Sequence, residues 1–428
     1  MANRFVRKSH FRHVYGQGSK KENTYFDLRL STNGDGNHIA ANDKYIIFAT
    51  SGGGGPCCVI PYGKSGRIGV GCPKLNVHSS KTSDFAFNPF KGNVVATAAE
   101  DCMIGLSVLP ENPEEFKGEP ISSQLLEGHQ KKVDFVTWHP TAMGILGSAA
   151  HDGIAKVWDV EEGKEALELD MGAAATCMEW NTDGSMAACA LSNKKSLIWD
   201  PRTNKAAFNF KTDFSNAKNI FHDNVGYFGV GGSKMGCHEY HLYDLKKLSE
   251  PVTEFEVDDS AGMLLTHYDP DTKMLYIGSK GGSQVKYFEL TSKGAMHKLS
   301  LHGLGKGIKG FFFLPKLMCD WKQCIIAKSM MVFRDYVEPV DFIVPRKSSL
   351  FAKDLYPDAY AGIAAMDGAS WLGGENKAPI LKSMDPKKKD QAVGGGVTVV
   401  SKADLIAENK KLKEKIKELE AKVAQLSK

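Results

Sequence analysis

The sequence predicts an all-β fold, a seven-bladed β-propeller, and two observations support that prediction. Residues 128–159 open on Gly-His, close on Trp-Asp, and hold three short apolar runs separated by turn residues. Similar closing positions recur at Trp199, Tyr243 and Phe288, and this spacing of roughly 40–45 residues is the period of propeller blades. About five such units are readable, and weaker segments at each end bring the expected number to about seven. A closed ring also protects the edges of the sheets.

The stretch 128–159 matches a WD40 repeat, in which four side chains share a structural role. His129, Ser148, Asp152 and Trp158 are spaced so that they can form one buried hydrogen-bonded chain across a blade. Asp152 precedes a glycine at a turn, where a carboxylate can accept hydrogen bonds from neighbouring N–H groups. A His-Ser-Asp set also suggests a hydrolase, but the spacing fits the blade. We therefore predict a scaffold, with no catalytic residues and no enzymatic activity.

Composition and charge argue against several broad classes of protein. The chain has 428 residues and a net charge of +4, which is too mild for binding nucleic acid through bulk charge. No apolar run reaches the roughly 18 residues of a membrane span, and the N-terminus lacks the apolar core of a signal peptide. The nine cysteines are scattered and include no CxxC pair. We therefore expect free thiols in a reducing cytosol, rather than disulfides or zinc.

Two segments resemble known functional motifs but lack a residue or a spacing that the motif requires. Gly63-Lys64-Ser65 resembles the end of a phosphate-binding loop, but Cys58 stands where that motif needs a glycine. His238 and His241 are one residue closer together than the histidines of a zinc-protease HExxH motif, and they fall in a strand pattern. The sequence therefore predicts no nucleotide, no metal and no other cofactor.

The first thirty residues combine cations with aromatic side chains, and two interpretations stay open. The segment could bind an acidic partner, or it could be a strand with solvated charges that closes the propeller ring. The residues concerned are Arg4, Arg7, Lys8, Arg12, Lys20, Lys21 and Arg29, with Phe5, Phe11, Tyr15, Tyr25 and Phe26 among them.

Changes in the sequence pattern divide the chain into four parts. Strand-like alternation covers residues 1–345, which we assign to the propeller. Alternation is lost over 346–383, where aromatics among turn residues predict an extended segment packed on the propeller. Residues 384–402 contain a lysine run and three glycines and are predicted to be a flexible linker. Residues 403–428 repeat with a seven-residue period and predict a short α-helical coiled coil.

The predicted coil has the heptad pattern of a parallel oligomer. Attractive flanking pairs, such as Lys415 with Glu420 of another copy, favour parallel alignment, and Asn409 in the seam favours a defined register. A helix of about 25 residues is marginal alone, so association should depend on concentration. The residues predicted to mediate oligomerisation are Leu405, Asn409, Leu412, Lys415, Ile416, Leu419, Glu420, Val423 and Leu426.

Taken together, the chain resembles the coronin family of actin-binding WD-repeat proteins. The resemblance covers residues from 4 to about 375 and the general plan of linker and coil. Its most specific parts are Arg7-Lys8-Ser9 with 11–16, the segment 127–133 with Trp138-His139-Pro140, and 344–348 with 355–358. A generic WD40 protein does not carry the two end segments.

The resemblance implies binding to actin filaments, together with regulation of the actin-related-protein nucleation complex and of cofilin-driven turnover. It implies a cytoplasmic location in the actin cytoskeleton, at the cell cortex and at phagocytic or leading-edge structures. An arginine that contacts actin in the family matches Arg29, and Arg12, Lys8, Lys131, Lys132 and Arg202 are further candidate actin contacts. Lys415 stands where the family's trimer motif has arginine, so dimer and trimer both stay open. The alternative is a WD40 adaptor for membrane-traffic or signalling complexes that does not contact actin directly.

Overall fold

The structure is a computed structural model, and it describes most of the chain. The described residues are 9–31, 38–69, 71–203, 205–212, 214–222, 226–232, 237–258, 262–291, 295–348, 350–388 and 392–393.

Short β-strands account for nearly all of the regular structure. The strands are β1 (Tyr15–Gly18), β2 (Tyr25–Phe26), β3 (Ile39–Ala41), β4 (Tyr45–Ala49), β5 (Cys57–Pro61), β6 (Gly66–Arg67), β7 (Lys74–Leu75), β8 (Thr82–Phe87), β9 (Val94–Ala99), β10 (Met103–Val108), β11 (Ser122–Glu127), β12 (Val133–Trp138), β13 (Ala142–Met143), β14 (Ile145–Ala150), β15 (Ile154–Asp159), β16 (Lys164–Asp170), β17 (Ala175–Trp180), β18 (Ala187–Leu191), β19 (Lys195–Asp200), β20 (Lys205–Lys211), β21 (Ser215–His222), β22 (Gly226–Gly232), β23 (His238–Asp244), β24 (Thr253–Asp258), β25 (Leu264–Asp269), β26 (Met274–Ser279), β27 (Gln284–Leu290), β28 (Met296–Gly303), β29 (Gly310–Phe313), β30 (Ile325–Val332), β31 (Tyr336–Ile343), β32 (Ala359–Tyr360), β33 (Met366–Asp367), β34 (Leu381–Lys382) and β35 (Ala392–Val393).

Helical structure is sparse among the described residues. The one α-helix there, α1, spans Gly368–Leu372. Short 3₁₀ turns occupy Lys21–Asn23, Pro113–Glu115, Pro201–Thr203, Lys316–Met318 and Trp321–Gln323. None of the helices within these described ranges is long and apolar enough to cross a membrane.

The described strands form a ring of seven blades, which confirms the predicted fold class. Six sheets have four strands in chain order, from β3-β4-β5-β7 to β25-β26-β27-β28, and a six-stranded sheet containing β29, β30 and β31 completes the set. The first strands of successive blades contact one another around the whole circle, from β3 through β8, β12, β17, β21, β25 and β29 back to β3. The first strand of each blade therefore lies innermost.

The N-terminal segment closes the ring. β1 and β2 both pair antiparallel with β31, with Tyr15 opposite Ile343 and Tyr25 opposite Val337. The outer edge of the seventh blade thus comes from the start of the chain, so opening the ring would require breaking this sheet. Of the two interpretations of the basic N-terminal segment, ring closure is what the structure shows for residues 15–26.

Adjacent blades are joined by side chains of their inner strands. Trp138 Nε1 donates to the Ala86 carbonyl of the preceding blade at 2.9 Å, and Trp180 Nε1 donates to Thr137 O at 3.3 Å. The turn glycine Gly153 has φ +84°, a conformation that a side chain would strain. Apolar strand faces meet between blades, so the core is a series of clusters around the ring.

Two faces of the propeller follow from the strand order. We call one the extension face; it carries the turns between first and second strands, such as 88–93 and 139–144, and between third and fourth strands, such as 201–203. We call the other the opposite face; it carries the turns between second and third strands and the connections from one blade to the next. Each candidate actin contact that the structure describes can be assigned to one of these faces.

The segment after the propeller crosses the extension face. Tyr360 Oη donates to Pro140 O at 2.7 Å, Ala365 N donates to Thr141 O at 2.9 Å, and β33 adds a parallel pair to β13. Trp371 is fully buried and donates from Nε1 to Gly184 O at 3.2 Å. The packed segment continues past the predicted boundary at 383, because Met384 is buried and β34 pairs with β35.

One cysteine pair corrects the expectation that all nine thiols are free. Cys58 and Cys72 form a disulfide, with their α-carbons 6.0 Å apart, and the other seven cysteines keep their thiols. The reason lies in the chain path, since the segment after β5 leaves to pair with β2 through β6 and returns beside β5 at β7. Sequence spacing alone does not reveal that return.

Candidate functional site

The four predicted network residues of the third blade are hydrogen-bonded to one another, as their spacing predicts. Trp158 Nε1 donates to Ser148 Oγ at 2.8 Å, and Ser148 Oγ lies 2.8 Å from His129 Nε2. His129 Nδ1 lies 3.2 Å from Asp152 Oδ2. Asp152 also accepts from the backbone N–H of Gln130 and of the residue at 154, both at 2.9 Å. The chain joins strands β14 and β15 and the turn between them to the connection that precedes the blade.

The distances resemble those of a Ser-His-Asp triad, but the environment does not. Ser148 and Trp158 are 0% and 1% exposed, so a substrate cannot reach the Ser148 hydroxyl, which already accepts a hydrogen bond from the indole. Burial lowers the pKa of His129, although the Asp152 charge opposes this. Burial alone would raise the pKa of Asp152, but its hydrogen bonds with Gln130 and Ile154 and the His129 charge hold it below the usual range. The set stabilises the blade.

Neighbouring blades contain partial copies of this network. In the second blade His78 bonds Thr97 Oγ1 at 2.7 Å and Asp101 at 3.1 Å. In the fourth blade Cys189 stands where the third has serine, and Trp199 Nε1 has no hydrogen-bond partner within the described ranges. The network therefore varies between blades while the fold is kept, which is expected of a scaffold element.

Arg29 lies on a strap, residues 27–31, that joins the seventh blade to the first on the opposite face. Leu28 is buried, and its N–H donates to Asp335 O at 3.0 Å. The Arg29 carbonyl accepts from Ser51 N at 2.9 Å, and the next residue forms a bridge with Thr50. The backbone on both sides of Arg29 is therefore fixed by two different blades.

The side chain of Arg29 is exposed on this fixed backbone. No described carboxylate forms an ion pair with it, whereas the neighbouring Arg67 pairs with Asp27 at 2.9 Å. Asp27 has φ +62°, the left-handed conformation that aspartate tolerates better than most residues. The strap therefore holds an unpaired cation outward, where it can contact an acidic partner.

Lys131 and Lys132 lie in the connection between the second and third blades, also on the opposite face. Lys131 is exposed. Lys132 forms an ion pair with Asp134 at 2.9 Å, and His151 Nδ1 lies 3.4 Å from the same carboxylate. Of the two predicted contacts, Lys131 is thus the better placed to meet a partner.

Arg202 and Arg12 lie on the extension side, away from Arg29. The Arg202 guanidinium pairs with Asp200 at 3.2 Å and stacks 5.7 Å from the centre of the Trp371 ring. Its Nη1 donates to Asn376 Oδ1 at 2.9 Å and lies within 3.4 Å of the carbonyls of 374 and 375. Only 14% of the side chain is exposed, and its contacts make Arg202 a clamp of the extension, while its role as an actin contact stays a prediction.

Arg12 is exposed just before β1, at the end of that strand near the extension. In this region His10 Nδ1 contacts Asp354 at 2.8 Å, and Arg346 contacts the same carboxylate at 2.5 Å. Lys8 and the coil residues Leu405, Asn409, Leu412, Lys415, Ile416, Leu419, Glu420, Val423 and Leu426 lie outside the described residues. Their assignments stay predictions.

Two cations that the sequence analysis did not select lie beside Arg29. Arg334 is at the tip of the turn between β30 and β31, and Lys306 is in the connection that precedes β29. Both are exposed. The sequence offered little signal for either, because the seventh blade lacks a closing Trp-Asp pair from which turns could be assigned.

A groove between the second and third blades is a further concave surface on the extension side. Its volume is about 380 Å³, and Lys91, Trp138, Met143 and Glu161 are among the residues that line it. Within the ranges that the structure describes, no three His, Cys, Asp or Glu side chains converge as a metal site would require.

Comparisons with known protein families agree with this architecture. A family described as a domain of unknown function (DUF1899) matches residues 4–67. A WD domain, G-beta repeat family matches residues 118–159, and a family described as a type of WD40 repeat matches residues 337–379. The first match covers the ring-closing strands and most of the first blade. The second covers β11 to β15 and ends on the Trp-Asp pair of the third blade. The third covers nearly all of β31 and most of the extension.

Curated relatives decide the family. Coronin-A of Dictyostelium discoideum is 34% identical over 89% of the chain and 86% of its own length, and coronin-2A of Bos taurus is 32% identical over 89% and 75%. The chain belongs to the coronin family. The coronin-like protein crn1 of Schizosaccharomyces pombe is 32% identical over 90% of the chain, which spans 65% of the length of that relative.

A solved coronin structure supports the same conclusion. The WD40 domain of Toxoplasma gondii coronin matches with a TM-score of 0.81 and 30% identity, over 88% of this chain and 98% of that chain. A chain of the mitotic checkpoint complex matches with a TM-score of 0.58 at 11% identity, which indicates the fold alone. The resemblance found in the sequence is therefore confirmed at the level of the coronin family.

Proposed function

We propose that this coronin-family chain binds actin filaments through the opposite face of its propeller, with Arg29 as the principal contact. The observation that carries the proposal is the strap, which holds an exposed, unpaired arginine between the first and seventh blades. Family membership supports it, since Arg29 matches the arginine of the coronin resemblance. Lys131 lies on the same face and is a secondary contact.

Electrostatics explain why such a surface would suit a filament. Actin filaments are acidic, so an exposed cation accelerates encounter and gives attraction that weakens with salt. An exposed charge pair contributes about 0.2–1 kcal/mol. Reversing the charge replaces attraction by repulsion of similar size, so Arg29→Glu should cost about 0.4–2 kcal/mol, or about two- to thirty-fold in affinity at low salt.

Cosedimentation of the full chain with purified filaments tests the proposal. Wild type should pellet with filaments, Arg29→Glu should bind more weakly, and the difference should shrink as ionic strength rises. Lys91→Glu is the matched control, because it makes the same charge change at an exposed lysine on the extension face. If wild type does not pellet, direct actin binding is wrong and the adaptor function becomes the better explanation. Equal binding by Arg29→Glu and the control would remove Arg29 from the contact.

The C-terminal heptads support a second part of the proposal, in which residues 403–428 join two or three propellers. Linked weak sites act together, so copies joined in this way would decorate, cross-link or bundle filaments. Deleting 403–428 should lower apparent affinity and abolish bundling while the single propeller still binds. Bundling that survives the deletion would show that the coil is not the cross-linker.

Regulation of filament turnover and of branched nucleation would follow from filament decoration. We assign these roles, with cofilin and the actin-related-protein nucleation complex as partners, to a cytoplasmic protein of the actin cytoskeleton. Assays of branched polymerisation with and without the chain would test them.

A further inference from the structure

Three segments that are far apart in the sequence meet beside Arg29. The strap 27–31 is hydrogen-bonded to the turn between β30 and β31 through Leu28 N and Asp335 O, at 3.0 Å. Arg29 and Arg334 are each one residue from that bond, so their α-carbons are at most about 14 Å apart. Long arginine side chains that both emerge from this point can reach one partner surface.

Lys306 joins the same surface through an aromatic cluster. Its Nζ lies 5.1 Å from the centre of the Tyr336 ring. Tyr336 stacks on Phe333 at 4.4 Å and lies 6.2 Å from Phe26, the last residue of β2. This aromatic cluster fixes the turn that carries Arg334, because Phe333 is buried and its N–H donates to Tyr336 O at 2.9 Å.

The pairing of charges separates these cations from their neighbours. Arg67 is paired with Asp27, so its charge is partly neutralised. Arg29, Arg334 and Lys306 form no ion pair with a described carboxylate. The nearest acidic residue along the chain is Asp335, which shares the turn with Arg334. The patch therefore has a net positive charge and a rigid base.

We propose that Arg334 is a second arginine contact for the actin filament beside Arg29, and that Lys306 completes the contact surface. This inference rests on the proposed function, and it adds two residues from the seventh blade to a site predicted from the first thirty residues. Two arginines on separately anchored backbones fix the orientation of a partner in a way that one flexible cation does not.

The test compares filament cosedimentation of full-length wild type, Arg29→Glu, Arg334→Glu, Lys306→Glu and the control Lys91→Glu at low and moderate ionic strength. Arg334→Glu should weaken binding about two- to thirty-fold, close to the effect of Arg29→Glu. Lys306→Glu should weaken it about two- to five-fold. Arg334→Lys keeps the charge and should stay nearer to wild type than the glutamate variant does. Thermal melts confirm that each variant is folded.

The outcomes separate this inference from the proposed function. If wild type does not pellet, both are wrong. If wild type binds and Arg29→Glu is weakened, but Arg334→Glu and Lys306→Glu match the control, the inference alone is overturned. If Arg334→Glu fails to fold, Lys306→Glu decides, because Lys306 lies on a different connection: loss of affinity supports the patch and control-like affinity overturns it.

Discussion

Replacing Arg202 by alanine separates two roles that the sequence could not distinguish. As a clamp, Arg202 holds the extension to the propeller through the indole of Trp371 and the chain at 374–376. As an actin contact, Arg202 would instead bind the filament. The structure predicts that Arg202→Ala destabilises the fold and leaves the intrinsic affinity of the opposite face for filaments unchanged.

The size of the effect follows from the contacts. Nη1 has two hydrogens, so it can satisfy at most two of the three oxygens within 3.4 Å. Hydrogen bonds to a charged group contribute about 1.5–3 kcal/mol, but the accepting residues 374–376 are exposed, so we take about 0.5–1 kcal/mol for each. The stacking on Trp371 adds about 0.5–1 kcal/mol, and the ion pair with Asp200 up to about 1 kcal/mol. Arg202→Ala should therefore cost about 1.5–4 kcal/mol.

Urea denaturation measures that cost, limited proteolysis reports release of the extension, and filament cosedimentation reports the contact surface. Arg202→Lys is the matched variant, because lysine keeps the charge but lacks the planar guanidinium that stacks on Trp371 and donates several hydrogen bonds. It should recover only part of the stability that Arg202→Ala loses. An Arg202→Ala protein with wild-type stability and weakened filament binding would refute the clamp and restore Arg202 as a contact.

Two further predictions concern buried polar groups. Ser148→Ala leaves Trp158 Nε1 and His129 Nε2 without their shared partner, so the free energy of unfolding measured in urea should fall by about 2–4 kcal/mol; a change near zero would contradict the network's structural role. Burial, with the Asp269 charge, raises the pKa of Asp271 to about 7. A raised folded-state pKa of an acid lowers stability as pH rises from about 4 to 7, so the stability of Asp271→Asn relative to wild type should increase across that same range. A constant difference across that range would contradict it.

The architecture was predictable because its causes are local and repeated. The network of the third blade depends on residue spacing within 30 residues, from His129 to Trp158, and its four members are bonded as that spacing predicts. Blade period and closing Trp-Asp positions do not depend on long-range contacts. The path of the chain after β5 does, and so the pairing of Cys58 with Cys72 was missed.

The candidate site was harder to predict because a count of cations does not say which face carries them. For Arg202 a signal was present: it follows Trp199-Asp200 by two residues, and that pair ends a third strand, which puts Arg202 on the extension side. For Arg334 there was none, since its turn belongs to a blade without the closing motif. Its proximity to Arg29 depends on ring closure by β2, a contact across more than 300 residues.

The two faces have different partners within the molecule, and this difference bears on how the proposed activities combine. On the extension side, Arg202 and Arg346 contact oxygens of the extension, so their charges act within the protein. Arg29 and Arg334 have no such partner among the described residues. Their backbone is nevertheless fixed, because Leu28 is buried and its N–H donates to Asp335 O in the turn that carries Arg334. The proposed filament contacts on the opposite face would therefore not compete with packing of the extension. A variant that loosens the extension should lower stability without altering the salt dependence of filament binding, whereas a variant of the patch should do the reverse.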